Sequence, residues 1–286
     1  MRFKCSILFS FLSFFFISQL FGQTVNARQL DEALASGNVT LVSANGTGSA
    51  SGYSVNGRLR NNTQNEILIN VLLNNGLYLS NSGNGQNMLA LSILLEGLRY
   101  STSGMTRYIS LPANATTNIV FGAYCANREK DTPKTYETFT RTNMPASLQS
   151  LAVRLSNYYA INYINETGPS IQLALWRGQG ETLVNIAGIY NFTLENWSAS
   201  SNILGLPVIP PRPVASGTYS YSSSYTVTIT ADGFTMNWGG QTYRGVYIVV
   251  EDVLILKPVM GDSGLFAFTI VNNGLQDDEG DLWRRR

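Results

Sequence analysis

The sequence predicts a mainly β protein with a small helical part: an N-terminal antiparallel β-sandwich with helices, followed by a small C-terminal β-meander or barrel domain. Three observations support this fold class. Short β-branched, apolar runs alternate with Asn/Gly turn signals through most of the chain. Between Pro145 and Leu204, the apolar spacing changes to the three-and-four pattern of helices. A proline-rich stretch then precedes a second run of strands.

The N-terminal segment has the pattern of a secretory signal. A short basic segment, Met1 to Lys4, leads into an apolar run from Cys5 to about Phe21, and Gly22 offers a small residue near the cleavage site. The run is barely long enough to span a bilayer and is diluted by serines, which favours a cleaved signal over a membrane anchor. We therefore expect residues 1–23 to be a signal peptide. The mature chain is then exported without a transmembrane segment, to the periplasm, the outer surface or the medium.

Residues 24–206 are expected to form the β-sandwich with its helical subdomain. A short helix with Leu30, Ala33 and Leu34 on one face opens this unit and ends at Gly37. Apolar or alternating runs then predict six strands, and Asn74-Asn75-Gly76 predicts a turn after the third of them. The predicted strands are Val39–Val42, Ser54–Arg60, Glu66–Leu73, Met88–Leu95, Arg107–Leu111 and Thr117–Tyr124.

Three helices are predicted in the second half of this unit. The first covers Pro145–Tyr159, where apolar residues recur every three or four positions. Pro169 opens the second helix, which continues through Trp176 before Gly178 and Gly180 end it. The third is a short helix at Leu194–Leu204, with Thr193 as its N-terminal cap.

Residues 207–213 are predicted to be a linker, and residues 214–286 a β-meander or barrel. Four prolines in seven residues stiffen the linker and exclude regular structure. Beyond it, Asp232-Gly233, Gly239-Gly240 and Asn272-Asn273-Gly274 mark tight hairpin turns. The acidic run Asp277–Asp281 does not match EF-hand spacing and is expected to be a polar hairpin loop.

The C-terminal segment resembles a known family in two features: strands that begin with glycine followed by tyrosine, and a tryptophan near the end of the chain. Gly217-Thr218-Tyr219, Gly245-Val246-Tyr247 and the closing Trp283 resemble small lipocalin-like or meander β-domains appended to bacterial envelope proteins. That resemblance implies a fold and leaves the ligand open.

The composition excludes several function classes. The chain of 286 residues contains no histidine, which removes Ser-His-Asp and Cys-His catalysis and nearly all zinc chemistry. After loss of the signal, Cys125 is the single cysteine, so no internal disulfide can form. A net charge near zero argues against nucleic acid as a partner. We therefore predict no catalytic residue, no metal ligand and no cofactor.

Two short motifs together resemble the signature of bacterial thioester domains. Tyr124-Cys125 matches an aromatic-Cys pair at a strand end, and Ile171-Gln172-x-x-Leu175-Trp176 matches an apolar-Gln-x-x-apolar-Trp helix. The resemblance implies an internal thioester between Cys125 and Gln172, with Tyr124, Ile171, Leu175 and Trp176 supporting it. It further implies a non-enzymatic, adhesin-like surface protein that attaches covalently to amines on a cell-surface or extracellular protein or glycan.

Two other interpretations remain open from the sequence. Cys125 is an inert core thiol if Leu175 and Trp176 are simply buried and Gln172 faces solvent. Alternatively, scattered carboxylates such as Glu129, Asp131 and Glu137 pair as acid and base in a secreted glycan hydrolase with an accessory β-domain.

Overall fold

The computed structural model describes residues 26–95, 107–162, 168–259 and 264–286. The predicted signal peptide at residues 1–23 lies outside these residues. Within them the chain forms five helices: α1 (Leu30–Ala35), α2 (Ala146–Asn162), α3 (Gly168–Gly178), α4 (Leu183–Ala187) and α5 (Leu194–Leu204). The first eight strands are β1 (Val39–Gly46), β2 (Tyr53–Asn61), β3 (Ile67–Asn70), β4 (Leu72–Asn81), β5 (Met88–Leu95), β6 (Tyr108–Leu111), β7 (Thr116–Cys125) and β8 (Phe139–Arg141).

The first unit is built on a six-stranded antiparallel sheet with the order β1-β2-β7-β5-β4-β8. Strands β3 and β6 form a separate two-stranded sheet. The two edge strands of the large sheet approach each other, since Asn45 of β1 bridges to Thr138 just before β8. Strand β7 lies inside this sheet, and its last seven residues are buried. The predicted mainly β class is thereby confirmed.

The turn predicted at Asn74-Asn75-Gly76 is wrong. These residues lie inside β4, where the pairing with β5 shifts register between Leu72 and Leu77. Gly76 has a φ of 66°, a left-handed value that glycine adopts without a Cβ penalty. An added Cβ would also lie 2.9 Å from a side-chain carbon of Leu89. The Asn-Asn-Gly sequence therefore forms a β-bulge within the strand. A glycine in the left-handed conformation is typical of bulges as well as of turns.

The helices follow the predicted pattern closely. Pro169 lies in the first turn of α3, and Thr193 caps α5 by accepting a hydrogen bond from the backbone N–H of Asn196. Gly205 ends α5 in the left-handed conformation. The short helix α4, capped by Thr182, was not expected, because five residues are too few to show a helical period.

The C-terminal unit is a closed eight-stranded antiparallel barrel, as the meander pattern predicted. Its strands are β9 (Gly217–Ser220), β10 (Tyr225–Thr230), β11 (Gly233–Trp238), β12 (Gln241–Val250), β13 (Val253–Pro258), β14 (Phe266–Val271), β15 (Gly274–Gln276) and β16 (Leu282–Arg285). Pairing of β16 with β9 closes the barrel. Side chains fill the interior, and the largest of them, Trp283, is 1% exposed.

The barrel packs against the helices of the first unit. Val250, Val253 and Ile255 belong to the same hydrophobic core as Ile186 and Trp197. No helix or strand forms between Pro207 and Pro213. The shared core was not indicated by the sequence, and it favours coupled unfolding of the two units.

Candidate functional site

The end of β7 and the first turns of α3 bring the two predicted motif residues together. Strand β7 ends at Cys125, whose side chain lies in the core that also contains Leu173 and Trp176 of α3. The neighbouring Tyr124 points to the opposite side of the strand, into a second core with Ile171 and other residues of α2 and α3. Helix α3 therefore spans the junction of two cores, and all seven residues from Ser170 to Trp176 are buried.

Gln172 pairs with the main chain of Cys125 through both polar atoms of its side-chain amide. The backbone N–H of Cys125 donates to Oε1 of Gln172 over 3.0 Å, and Nε2 of Gln172 donates to the carbonyl oxygen of Cys125 over 2.8 Å. This pattern fixes the orientation of the amide, because the N–H requires an acceptor and the carbonyl requires a donor. Gln172 is 0% exposed, so the interpretation in which it faces solvent is wrong.

The sulfur of Cys125 lies in an apolar environment. Its Sγ is 3.7 Å from Sδ of Met88, the residue directly opposite on β5. Burial raises the pKa of the Cys125 thiol to about 12, since a thiolate there would lose its hydration. The thiol is therefore protonated at neutral pH, whereas a free nucleophilic cysteine normally has a lowered pKa. The sulfur is three covalent bonds from the backbone nitrogen that donates to Gln172.

The four supporting residues of the motif pack in different directions. Trp176 is one helical turn beyond Gln172, and its ring meets Tyr190 edge-on at 5.3 Å between centroids. Leu175 joins Ile171 and Tyr124 in the second core, where Tyr124 meets Tyr159 edge-on at 6.5 Å. Among the residues that the structure describes, the buried Nε1 of Trp176 finds no hydrogen-bond partner.

A cover over the cysteine was not predicted from the sequence. The carbonyl of Ala50 accepts a second hydrogen bond from the N–H of Cys125, over 3.1 Å. Next to it, Ser51 hydrogen-bonds the hydroxyl of Tyr190, and that tyrosine is close enough to Cys125 to interact with it electrostatically. Tyr190 follows a five-residue helix in an irregular segment, where no periodicity marks a side chain as buried. The contact between Met88 and Cys125 could have been predicted, since Met88 begins a predicted strand that could pair with β7.

The carboxylates considered for hydrolysis do not form a comparable site. Glu129 and Asp131 are exposed, whereas Glu137 is buried. Glu137 accepts hydrogen bonds from Nδ2 of Asn81 at 2.9 Å and from the backbone N–H of Lys134 at 3.0 Å. The Asn81 hydrogen bond, together with backbone donors, lowers the pKa of Glu137, whereas a general acid needs a raised pKa. Within the described ranges, no group of three or more acidic or cysteine side chains is placed to hold a metal.

Comparison with known proteins leaves the family undetermined. No protein-family model matches the chain, and neither a curated protein nor a solved structure matches it. None of the helices in the described ranges is both long and apolar enough to cross a membrane. The contact between Cys125 and Gln172 is the feature of the described residues that indicates a function.

Proposed function

We propose that this is an exported bacterial binding protein of the cell envelope or the medium, with an internal Cys125–Gln172 thioester for covalent attachment to amines. The observation that carries the proposal is the two-point contact between the Gln172 amide and the Cys125 main chain, across 47 positions of sequence and in a fully buried site. The burial of the Gln172 amide is offset because both of its polar atoms are paired with the Cys125 main chain, which holds the two residues together.

The contact suits the condensation chemically. The bond from Sγ of Cys125 to the side-chain carbonyl carbon of Gln172 forms as the bond from that carbon to Nε2 breaks. The thiol proton leaves with the nitrogen as ammonia, so the atoms balance without a co-reactant. The Cys125 N–H already donates to Oε1 of Gln172, where negative charge develops in the tetrahedral intermediate. A backbone N–H aimed at that oxygen is the element from which oxyanion holes are built.

Burial supports the persistence of the bond once formed. Cys125 and Gln172 are both 0% exposed, so bulk water does not reach a thioester at this position in the conformation described. Attachment then requires a primary amine to enter past Tyr190. Its nitrogen would bond to the carbonyl carbon, the carbon–sulfur bond would break, and the sulfur would recover a proton. The raised pKa of the free thiol has no effect on the stability of the thioester once it has formed, because a thioester sulfur carries no titrating proton.

Intact-protein mass is the decisive measurement. A protein with the thioester is lighter than its sequence by the ammonia lost, about 17 Da. Cys125→Ala and Gln172→Ala should each restore the mass expected for the variant sequence. Gln149→Ala, at an exposed position of α2, is the matched control and should retain the deficit. Full sequence mass in the freshly purified wild type would refute the thioester and leave Gln172 as a buried structural partner of β7.

Alkylation has to be performed on unfolded protein to be informative. A free thiol with a raised pKa and no exposure reacts slowly in the folded state, so slow native labelling does not distinguish the two forms. Rapid unfolding in the presence of alkylating reagent labels a free Cys125 and leaves a thioester unlabelled. Prior treatment with methylamine should free the sulfur and restore labelling. Export is tested separately, by N-terminal sequencing of the mature protein, which should begin near Thr24.

A further inference from the structure

One end of the C-terminal barrel carries a continuous set of aromatic rings. Trp238 stacks on Trp283 with 5.7 Å between centroids, and the ring centroid of Tyr221 lies 6.4 Å from that of Trp283. Phe266 is 5.8 Å from Trp238, and Tyr225 meets Trp238 edge-on at 5.2 Å. We call these five residues the aromatic mouth. It lies at the opposite end of the barrel from the β12–β13 turn at Glu251, which contacts the first unit.

The aromatic mouth reaches the surface. Trp238 is 38% exposed and Tyr221 is 54% exposed, while Trp283 beneath them is buried. Trp238 and Tyr221 are not part of the barrel core, which contains Trp283 and has Tyr225 and Phe266 packed against it. Contiguous exposed apolar surface on a soluble domain commonly marks a binding site.

An acidic loop borders the same end. The connection between β15 and β16, Asp277–Asp281, contains four carboxylates in five residues. Oδ2 of Asp277 accepts from Nε1 of Trp283 at 2.9 Å, and Asp281 hydrogen-bonds Tyr221, so the loop is tied to the aromatic mouth. Asp278 and Glu279 are exposed.

The carboxylates of this loop form no ion pair among the described residues. In the part of the chain that the structure describes, the ion pairs are Arg128–Glu181 and Arg177–Glu251, and neither includes a residue of the loop. Of the three C-terminal arginines, Arg285 donates to the carbonyl of Ser216, Arg286 donates to the hydroxyl of Ser220, and Arg284 is exposed. The mouth therefore combines partly exposed aromatic rings with carboxylates that are outside any ion pair.

The geometry points to a binding site for a basic polypeptide segment at the aromatic mouth, with lysine or arginine side chains over the rings and the acidic loop beside them. Aromatic faces attract cations through the ring quadrupole, and adjacent carboxylates add long-range attraction. The site is independent of the Cys125–Gln172 bond.

Intrinsic tryptophan fluorescence of the full chain provides the test. Titration with an oligolysine peptide should change the emission of Trp238, and binding should weaken as salt is raised. The same peptide acetylated on every lysine, which removes the charge and keeps the length, should bind at least about three-fold more weakly. Trp238→Ala should weaken oligolysine binding by a similar factor, read by calorimetry because the probe is removed, and Trp238→Phe should weaken it less.

Charge-matched variants separate a local site from general attraction. Asp278→Asn combined with Glu279→Gln removes two charges from the loop and should reduce the affinity at least about three-fold. Asp232→Asn combined with Asp252→Asn removes two exposed charges from the opposite end of the same barrel and should leave it unchanged. Circular dichroism establishes that each variant is folded.

Three outcomes would overturn the assignment. Equal losses in the two double variants would indicate non-specific attraction. Salt-independent binding of a neutral oligosaccharide in place of oligolysine would indicate a glycan surface. Absence of binding to either probe would mean that the aromatic mouth only closes the end of the barrel and is not a binding site. The Cys125→Ala variant should bind oligolysine as the wild type does, so failure of the thioester proposal does not affect this result.

Discussion

The guanidinium group of Arg177 lies over the indole ring of Trp197, 3.6 Å from the ring centroid. Nη1 of Arg177 donates to the hydroxyls of Ser200 and Ser201 at 2.6 and 2.9 Å, and Nη2 is 3.7 Å from Oε1 of Glu251. The same carboxylate oxygen accepts from Nε1 of Trp197 at 2.8 Å. A residue on the helix of Gln172 is thereby connected both to α5 and to the barrel.

Replacement of Arg177 should destabilise the whole protein. Arg177→Met keeps much of the stem but leaves the Glu251 carboxylate short of a partner, and loss of one partner of a largely buried pair costs about 3 kcal/mol. Chemical denaturation followed by circular dichroism measures the change. Arg154→Met is the control, because Arg154 is an exposed α2 residue with one bond to the carbonyl of Leu204. We expect it to cost less than about 1 kcal/mol, and equal costs would contradict the connecting role of Arg177.

Substitution of Gln172 should reveal the strength of its contact with Cys125. Gln172→Met preserves size but leaves the carbonyl of Cys125 without this donor, and a buried unsatisfied polar group costs about 1–3 kcal/mol. Gln172→Glu should cost more, because a buried carboxylate would face that carbonyl oxygen. The free energy of unfolding in urea gives both values. A Glu variant as stable as the wild type would show that Gln172 is not held as described.

A free Cys125 thiol should make stability depend on alkaline pH. The folded pKa, raised to about 12 by burial, lies above the unfolded value of about 8.5. The stability is therefore fully present below about pH 8.5, and it falls as pH rises toward 12, because the unfolded chain releases the proton first. The slope approaches about 1.4 kcal/mol per pH unit.

Comparison with Cys125→Ala isolates this titration from those of tyrosines and lysines. The difference in unfolding free energy between the two proteins, measured from pH 8 to 10.5, should decrease with pH when mass shows a free thiol. A preparation with the mass deficit should show a constant difference, since the thioester sulfur does not titrate. If the difference in unfolding free energy stayed constant in a preparation with a free thiol, Cys125 would be less buried than its exposure of 0% indicates.

The hydrogen bond between Tyr190 and Ser51 should limit access to Cys125. Tyr190→Phe removes the hydroxyl but keeps the ring that meets Trp176 edge-on. Loss of one such bond, about 1 kcal/mol, should increase native-state labelling or methylamine reaction at Cys125 about five-fold. Ser51→Ala should have the same effect, and the double variant should add nothing. Tyr136→Phe, at a position that is 72% exposed, is the control and should not change the rate.

The sequence predicted the elements that carry the site better than the contacts that surround it. The helical period and Pro169 located α3, and the apolar run that ends at Tyr124 located the end of β7. Only the resemblance to thioester domains implied that Cys125 and Gln172 lie side by side. Their hydrogen-bond pattern could not be predicted, since it depends on how α3 crosses the sheet. The Ala50–Ser51 segment and Tyr190 lie in irregular backbone, where composition carries no periodic information.

The same distinction explains the errors and omissions in the fold. Asn74-Asn75-Gly76 has the composition of a turn, and only pairing with β5 converts it to a bulge. The interface between barrel and helices requires Val250, Val253 and Ile255 to be apolar on an outer barrel face. In the sequence these apolar residues look the same as those that fill the barrel interior. Only the closed barrel shows which side chains point inward and which point outward.

Closure of the sheets constrains how this protein can engage others. The barrel has no edge strand, and β1 and β8 of the six-stranded sheet meet through the Asn45–Thr138 bridge. The two large sheets therefore offer little unpaired backbone for a foreign strand to extend, which limits both self-polymerisation and recruitment of partners by strand addition. Recognition is left to side chains, so its selectivity should change with single substitutions.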